Sequence, residues 1–315
     1  MDVIINKIHQ LTPSIRAFEL IATPGNSLPS FEAGSHIDVN LKNGLIRQYS
    51  LANCCDETHR YVIGVLNDEN SRGGSRCLHQ EYREGERLSI SQPRNLFEIH
   101  PQTQKAILFA GGIGITPIIS MAYRLKKQEI PFELHYFVRS REMIAFYGNL
   151  TEHFKNEVHF HIQNESETQC DVMATLEEPS STRHLYVCGP NGFMEFIMRS
   201  ANEANWSAEQ LHQEHFVAQQ FDTFQDELFT IEVLGSDRRI EVHPHQTATQ
   251  ALIENGFDIP ISCEQGICGT CVTRVISGIP DHRDVFMTYE EHALNNQFTP
   301  CCSRAKSKTL VIALD

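Results

Sequence analysis

Nothing in the 315 residues approaches the roughly 18 consecutive apolar positions that a membrane-crossing helix needs. The opening MDVIINKIHQ lacks the basic-then-apolar pattern of a secretory leader, so the expected location is the cytoplasm. Positive charge is scarce: 26 Lys and Arg stand against 40 Asp and Glu, a net charge of −14. That balance argues against nucleic acid or an anionic membrane as partner, since both need clustered cations. A basic protein partner is compatible with it. Internal repeats and low-complexity tracts are also missing. What is present is ordinary for a globular protein: 41% hydrophobic and 21% charged residues, in a length that suits two or three domains. Ten cysteines in a reducing compartment are thiols or ligands, not disulfides. Five of them, Cys263, Cys268, Cys271, Cys301 and Cys302, crowd into the last fifth of the chain.

The pattern of short segments changes along the chain. Residues 16–22, 36–41, 46–52, 61–66 and 87–91 read as strands bounded by Gly, Pro or Asn, with one helical stretch at 75–82. This predicts an antiparallel β-barrel over 1–102. Strands at 105–110, 132–138, 158–162 and 184–188 then alternate with helical stretches, which predicts a doubly wound parallel sheet over 103–225. A polar stretch, Ala218 to Glu227, serves as a linker. Strands at 229–233, 239–242 and 310–314 with a helix at 247–255 predict an α+β module over 226–315.

Cys263-Glu264-Gln265-Gly266-Ile267-Cys268-Gly269-Thr270-Cys271, with Cys301 thirty positions on, is C-x4-C-x2-C…C. That is the plant-type spacing for a [2Fe–2S] cluster. Two irons and their sulfides need four thiolates from a loop that wraps closely, and Gly266 and Gly269 permit backbone N–H groups to approach sulfur. A structural zinc site is the competing reading, although zinc ribbons present two C-x2-C knuckles and this loop has one. The chemistry alone leaves Cys301 and Cys302 open as the fourth ligand.

Two further constellations stand out. On a strand, Arg47 and Tyr49 of Arg47-Gln48-Tyr49-Ser50 share a face, so a cation and a ring can address one ligand. Gly73-Gly74-Ser75, after Ser71-Arg72, opens the only helix of this region, where N–H groups beside glycines make a phosphate cradle. A plain strand and a capped turn are the plainer readings. Gly111-Gly112-Ile113-Gly114-Ile115-Thr116-Pro117 joins a strand to a helix, without the last glycine of a Rossmann fingerprint. Cys188-Gly189-Pro190 ends a later strand, and parallel sheets bind ligands at the carboxyl ends of their strands.

With these motifs in this order, the whole chain resembles the phthalate dioxygenase reductase family, in which a ferredoxin module follows a flavin and nucleotide-binding reductase. The tail Thr299-Pro300-Cys301-Cys302-Ser303-Arg304 fits its pattern, in which the ligand stands three positions before Arg; this selects Cys301 and leaves Cys302 in a small apolar site. The resemblance implies a flavin β-barrel, a nucleotide domain and a β-grasp-like ferredoxin domain. It implies FMN held by Arg47, Tyr49 and Ser50 together with Gly73, Gly74 and Ser75, with Ser50 at flavin N5. It implies NADH held by Gly111, Gly112, Gly114, Thr116, Arg139, Ser140, Gly189 and Pro190, with Cys188 beside the nicotinamide and Phe216 near the flavin. Arg141 beside Arg139 leaves NADPH open. Ser50 and Cys188 are the expected catalytic pair. The expected role is that of a reductase that passes electrons from NADH through FMN and the cluster to a Rieske-type terminal oxygenase. Asp281-His282-Arg283-Asp284 and Ser303 to Ser307 strengthen the resemblance, which implies O-demethylation of a vanillate-type aromatic acid by the partner. Alternatives are service to a carnitine-type monooxygenase, a non-catalytic redox sensor and a zinc-stapled nucleotide-binding protein.

Glu254, Asp258, Glu264, Asp281, Asp284, Glu290 and Glu291 surround the cluster segment in sequence and suggest an acidic docking face. Cys54, Cys55, Cys77 and Cys170 fit no ligand spacing. None of the sixteen histidines falls in a zinc motif, and His159 with His161 marks one face of a strand.

Overall fold

The computed structural model describes residues 1–68, 73–216 and 226–314. The chain divides into two compact units, Met1–Glu214 and His215–Asp315. Most of the linker expected at 218–227, and Ser71 with Arg72, lie outside the described residues.

The first unit carries two sheets. Strands β1 (Asp2–Gln10), β2 (Ile15–Ala22), β3 (Ser35–Asn40), β4 (Ile46–Ser50), β5 (Tyr61–Leu66), β6 (Arg87–Ile90) and the short β7 (Arg94–Asn95) form the first, with helix α1 (Gly74–Glu81) inserted after β5. Pairing is antiparallel throughout, in the order β4-β3-β6-β1-β2-β5, and a bridge between Leu51 and Ile63 brings the end of β4 back to β5. The closure hides what would be two open edges. Alternation along these strands sends Val3, Ile5, Phe18, Leu20, Ile37, Val39 and Ile63 into a common interior.

The second sheet is parallel. It contains β8 (Lys105–Gly111), β9 (Phe132–Val138), β10 (Val158–Ile162), β11 (Arg183–Cys188) and β12 (Leu211–Glu214), with helices α2 (Ile115–Lys127), α3 (Tyr147–His153), α4 (Val172–Thr175) and α5 (Asn191–Glu203) in the crossovers. The order is β10-β9-β8-β11-β12. The chain therefore winds outward from β8 in one direction and from β11 in the other. Their carboxyl ends, Gly111 and Cys188, flank the point where the winding reverses, which is where open α/β sheets place ligands.

In the second unit, β13 (Phe229–Val233), β14 (Arg239–Val242), β15 (Thr273–Ser277), β17 (Gln297–Phe298) and β19 (Thr309–Ala313) form a mixed sheet in the order β14-β13-β19-β15-β17. Only the β13–β19 pair is parallel. Helix α6 (Ala248–Glu254) starts where Thr247 and Gln250 form a reciprocal capping box, and its Ala248, Ala251 and Leu252 pack with Phe229, Ile231 and Ile312. A second capping box, Thr288 with Glu291, starts helix α7 (Tyr289–Leu294). The small ribbon of β16 (Pro280–Asp281) and β18 (Arg304–Ala305) lies beside the cysteine segment.

Arg304 is the fastener of that ribbon. Its buried guanidinium donates to the carbonyls of Gln246, Glu227 and His243, at 2.8, 2.9 and 3.2 Å. It also faces Asp226 and lies over the Phe229 ring. Arg304→Ala would remove three partly buried hydrogen bonds and leave Asp226 to Arg283 alone. It is expected to cost this unit about 3 kcal/mol, read as a lowered midpoint in urea unfolding followed by circular dichroism.

Candidate functional site

Arg47 and helix α1 come together as the sequence motifs imply. A Cβ at Gly74 would fall 2.6 Å from the Arg47 Cγ and 2.9 Å from its Nε, so the side chain crosses directly over the first turn. Gly73 takes a φ of 97°, and among the described residues no side chain caps α1, whose first turn lies beside the Arg47 side chain. A glycine-opened helix start beside a cation is a phosphate cradle, so these residues fit the phosphate of a flavin mononucleotide. Ser75 at the same turn uses its hydroxyl to accept from the Asp68 N–H at 3.4 Å. Tyr49 packs against the barrel core, and burial pushes its hydroxyl well above the ordinary tyrosine value.

Ser50 ends β4 and is buried. Its hydroxyl donates to Glu214 Oε2 at 3.1 Å, across to the parallel sheet. Glu214 is the last residue of β12 and stands level with Cys188 on β11. The residue as a whole is half-buried, but its carboxyl is enclosed, and burial pushes it up to about 8 against the lowering effect of the Ser50 hydrogen bond. Burial, reinforced by Glu214, likewise drives the Cys188 thiol well above its ordinary value and keeps it protonated. Ser50, Glu214 and Cys188 thus form one enclosed group at the reversal point of the sheet. Sequence reading passed over Glu214. It carries no motif, and only the β11–β12 register reveals it.

The glycines of the nucleotide motif have divided tasks. A Cβ on Gly114 would lie 2.2 Å from the Cys188 carbonyl oxygen, and one on Gly111 would strike Phe193 and Pro190 at 2.9 and 3.0 Å. A Cβ on Gly189 would strike Phe193, with the Gly111 Cα at 3.0 Å. These three glycines lock the two motifs against each other. Gly112, at a φ of 54°, is the one with open space before it, which suits it to a passing dinucleotide. Thr116 is buried and spends its hydroxyl on the Ile113 carbonyl at 3.0 Å, while its methyl packs against Gly64 of the barrel. Pro190 precedes α5 as its N-cap.

Beyond β9, Arg139 is exposed and Ser140 half-buried. Arg141 is clasped by the carboxylate of Glu165, its Nε 2.8 Å from Oε1. A carboxylate therefore already occupies the cation that could have held a 2′-phosphate. Phe216 lies half-buried in the bend two residues after Glu214, at the start of the second unit.

In the second unit Cys263, Cys268, Cys271 and Cys301 are all buried. They are in mutual contact. Hydrogen bonds from Cys268 and Cys301 hold the Cys263 thiol low, and Cys301 is driven up by contacts with Cys263, Cys271 and Cys302. The Gln265 N–H points at Cys263 Sγ at 3.3 Å and the Thr270 N–H at Cys268 Sγ at 3.5 Å. Four converging sulfurs with backbone donors aimed at them fit a [2Fe–2S] centre. Gly266 and Gly269 both have positive φ, but a Cβ there would meet Cys302 and Asp284, or the Phe286 ring, so neighbouring side chains add to the need for glycine. Cys302 differs from expectation: its sulfur has Thr299 Oγ1 at 3.3 Å and Ser303 Oγ at 3.9 Å, so its site is polar on that side. The Asp281 to Asp284 run holds the ligand turn. The Arg283 N–H donates to Ser303 Oγ, and the buried Asp284 carboxylate accepts from Thr299 Oγ1 and the Met287 N–H.

Residues 231–306 match the family described as a 2Fe-2S iron-sulfur cluster binding domain. Over 314 residues the chain is 78% identical to a vanillate O-demethylase oxidoreductase from Acinetobacter baylyi, covering 100% of this chain and 99% of the relative. It is 36% identical to the carnitine monooxygenase reductase subunit of Escherichia coli, covering 99% and 98%. Among solved structures, phthalate dioxygenase reductase, described as modular for electron transfer from pyridine nucleotides to [2Fe-2S], aligns with a TM-score of 0.78 at 34% identity, over 100% of this chain and 98% of that one.

Because the Glu214 carboxyl is raised above its ordinary value, it favours the folded state most at low pH, and that contribution is lost as pH rises through about 8. Glu214→Gln removes the ionisation. Its thermal stability relative to the parent chain should climb from pH 5 to 8 and level off beyond, measured by differential scanning calorimetry across that range.

Proposed function

The chain belongs to the phthalate dioxygenase reductase family of flavin and iron–sulfur oxidoreductases, and on that premise we propose that it is the NADH-dependent reductase of a two-component Rieske oxygenase acting on a vanillate-type aromatic acid. The observation that carries the electron-transfer reading is one chain that holds both an enclosed Ser50–Glu214–Cys188 group and a nest of four buried thiols. The aromatic substrate rests on the Acinetobacter relative, whose 78% identity far exceeds the 36% of the carnitine reductase. Residues 1–102, 103–225 and 226–315 serve as flavin, nucleotide and ferredoxin domains. We place the protein in the reducing cytoplasm, because thiols that ligate iron must stay reduced.

The bound groups supply hydride acceptance from NADH and one-electron delivery through iron and sulfide. The protein supplies positions and protonation states. Arg47 and the α1 N-terminus hold the flavin phosphate, and Tyr49 packs beside the ring. Ser50 has committed its proton to Glu214, so it offers lone pairs to a flavin N–H. Cys188, neutral and buried, borders the nicotinamide without adding charge where a hydride leaves. Glu214, largely protonated at neutral pH, keeps that pocket uncharged as well. Gly112 lets the dinucleotide pass close to the backbone, and Arg139 with Ser140 receives the adenosine ribose. Glu165 opposes a 2′-phosphate near Arg141, which supports NADH over NADPH.

For the oxygenase we propose a docking face on the cluster side of the second unit. Of the seven acids near the cluster in sequence, Asp284 is buried, Asp281 is paired with Arg283, Glu291 caps α7 and Glu254 is bonded to Gln246. Glu264, Asp258 and Glu290 are exposed. Tyr289, 84% exposed, gives the face an apolar anchor beside Glu290. A basic rim on the partner would be steered to it.

Anaerobic NADH should bleach both flavin and ferric-cluster absorption, and electrons should reach an artificial one-electron acceptor rapidly. A protein that binds NADH without turnover would be a sensor instead. Cys268→Ser should abolish the cluster spectrum while flavin reduction persists; an unchanged cluster spectrum would sink the ligand assignment. With a purified aromatic-acid O-demethylase as acceptor, the second-order rate should fall several-fold between low and high salt. Indifference to ionic strength would remove the steering role.

A further inference from the structure

The geometry points to a second metal site in this chain, a His-His-Cys site for a divalent transition ion such as Zn2+, built from His135, His161 and Cys170. Nothing in the electron path uses these residues. His135 lies on β9, His161 near the end of β10, and Cys170 in the connection just before α4. Their three donor atoms lie within 4.8 Å of one another. His135 Nδ1 is 2.9 Å from His161 Nε2 and 3.8 Å from Cys170 Sγ. A tetrahedral zinc ion with ordinary bond lengths would set these separations at about 3.3 and 3.6 Å, within a few tenths of what stands there.

Proton placement turns a histidine lone pair toward the site. His161 Nδ1 lies 2.6 Å from the Thr168 carbonyl, which can only accept, so the ring carries its hydrogen there. A neutral His161 then turns the Nε2 lone pair toward His135. The His135 Nε2 faces Glu133 Oε2 at 3.7 Å and has no hydrogen-bond partner among the described residues. If Nε2 carries the His135 hydrogen toward that carboxylate, two lone pairs oppose each other at 2.9 Å. If Nδ1 carries it, that N–H donates to His161 Nε2, and the His135 Nε2 lone pair faces a Glu133 carboxylate that Lys105 also pairs. A metal ion in place of that hydrogen would take both the His135 Nδ1 and the His161 Nε2 lone pairs.

The surroundings match those of ligating histidines. Each such ring usually donates its second N–H to a carbonyl or carboxylate, as His161 does to Thr168 and His135 is placed to do to Glu133. Thr175 Oγ1 lies 3.6 Å from Cys170 Sγ and gives its hydrogen to the Asp171 carbonyl at 2.9 Å. Cys170 and His161 are half-buried, so the ion has a way in. Nitrogen and sulfur donors select zinc over magnesium or calcium. Binding displaces the Cys170 proton to solvent, and the fourth position falls to water. The ion would tie the edge strand β10 and the connection after it to β9.

The test uses the holoprotein with flavin and cluster loaded. After incubation with Zn2+ and desalting, elemental analysis should find one zinc per chain in addition to an unchanged iron content, with a higher melting temperature. Co2+ in place of Zn2+ should give a thiolate-to-metal charge-transfer band. Cys170→Ala and His161→Gln should each lose the zinc, the band and the thermal shift. Their iron content and NADH-dependent acceptor reduction should match the parent's. The proposal is overturned if the parent holds no stoichiometric zinc, if zinc enters only as iron leaves, or if either variant retains it.

Discussion

The hydrogen bond from Ser50 to Glu214 spans two sheets of unlike construction, and the first unit is arranged so that it can form. Ser50 comes from an antiparallel barrel whose strand directions alternate. Glu214 comes from a parallel sheet whose strand ends all point one way. For the two to meet, the barrel has to lie against the carboxyl edge of the parallel sheet, and Gly64 makes room for it by accepting Thr116 and Phe146 where any side chain would collide. A second tie, from the Ser120 hydroxyl to the Asn53 carbonyl, fixes the same orientation further along α2. The site is therefore a junction of two modules.

That junction explains which parts of the structure were legible beforehand. Five of the segments, at 61–66, 132–138, 158–162, 229–233 and 239–242, read from the sequence without displacement, because β-branched and aromatic residues run there between clear turn signals. β1 was missed: in DVIINKIHQ the polar residues break the alternation, and the strand is held by β2 and β6 on either side more than by its own pattern. β12, with the sequence LHQE, has no apolar run and exists because β11 offers it a parallel edge. Glu214 went unseen for the same reason as its strand.

Motifs located their residues well and their causes less well. Gly111, Gly114 and Gly189 are where a dinucleotide loop would need them, but each is glycine because protein backbone or a ring presses on it. The cysteine loop repeats the lesson. Its spacing singled out four cysteines that the fold gathers into one nest, while the restriction at Gly266 and Gly269 comes from Cys302, Asp284 and Phe286 around it. His135, His161 and Cys170 had no spacing to betray them, since sheet register and one connection gather them from three separate segments.

The ion pair between Arg141 and Glu165 has a bearing on redesign. An arginine placed beside the adenosine ribose is ordinarily taken as a handle for a phosphorylated dinucleotide, and adding more arginine is the usual way to strengthen it. On the proposed binding mode Arg141 would be such a handle, and Glu165 already holds it. Converting such a chain to the other nicotinamide currency begins with deleting an acid from the far side of the β10 connection, and a new base added first would be captured by the same carboxylate.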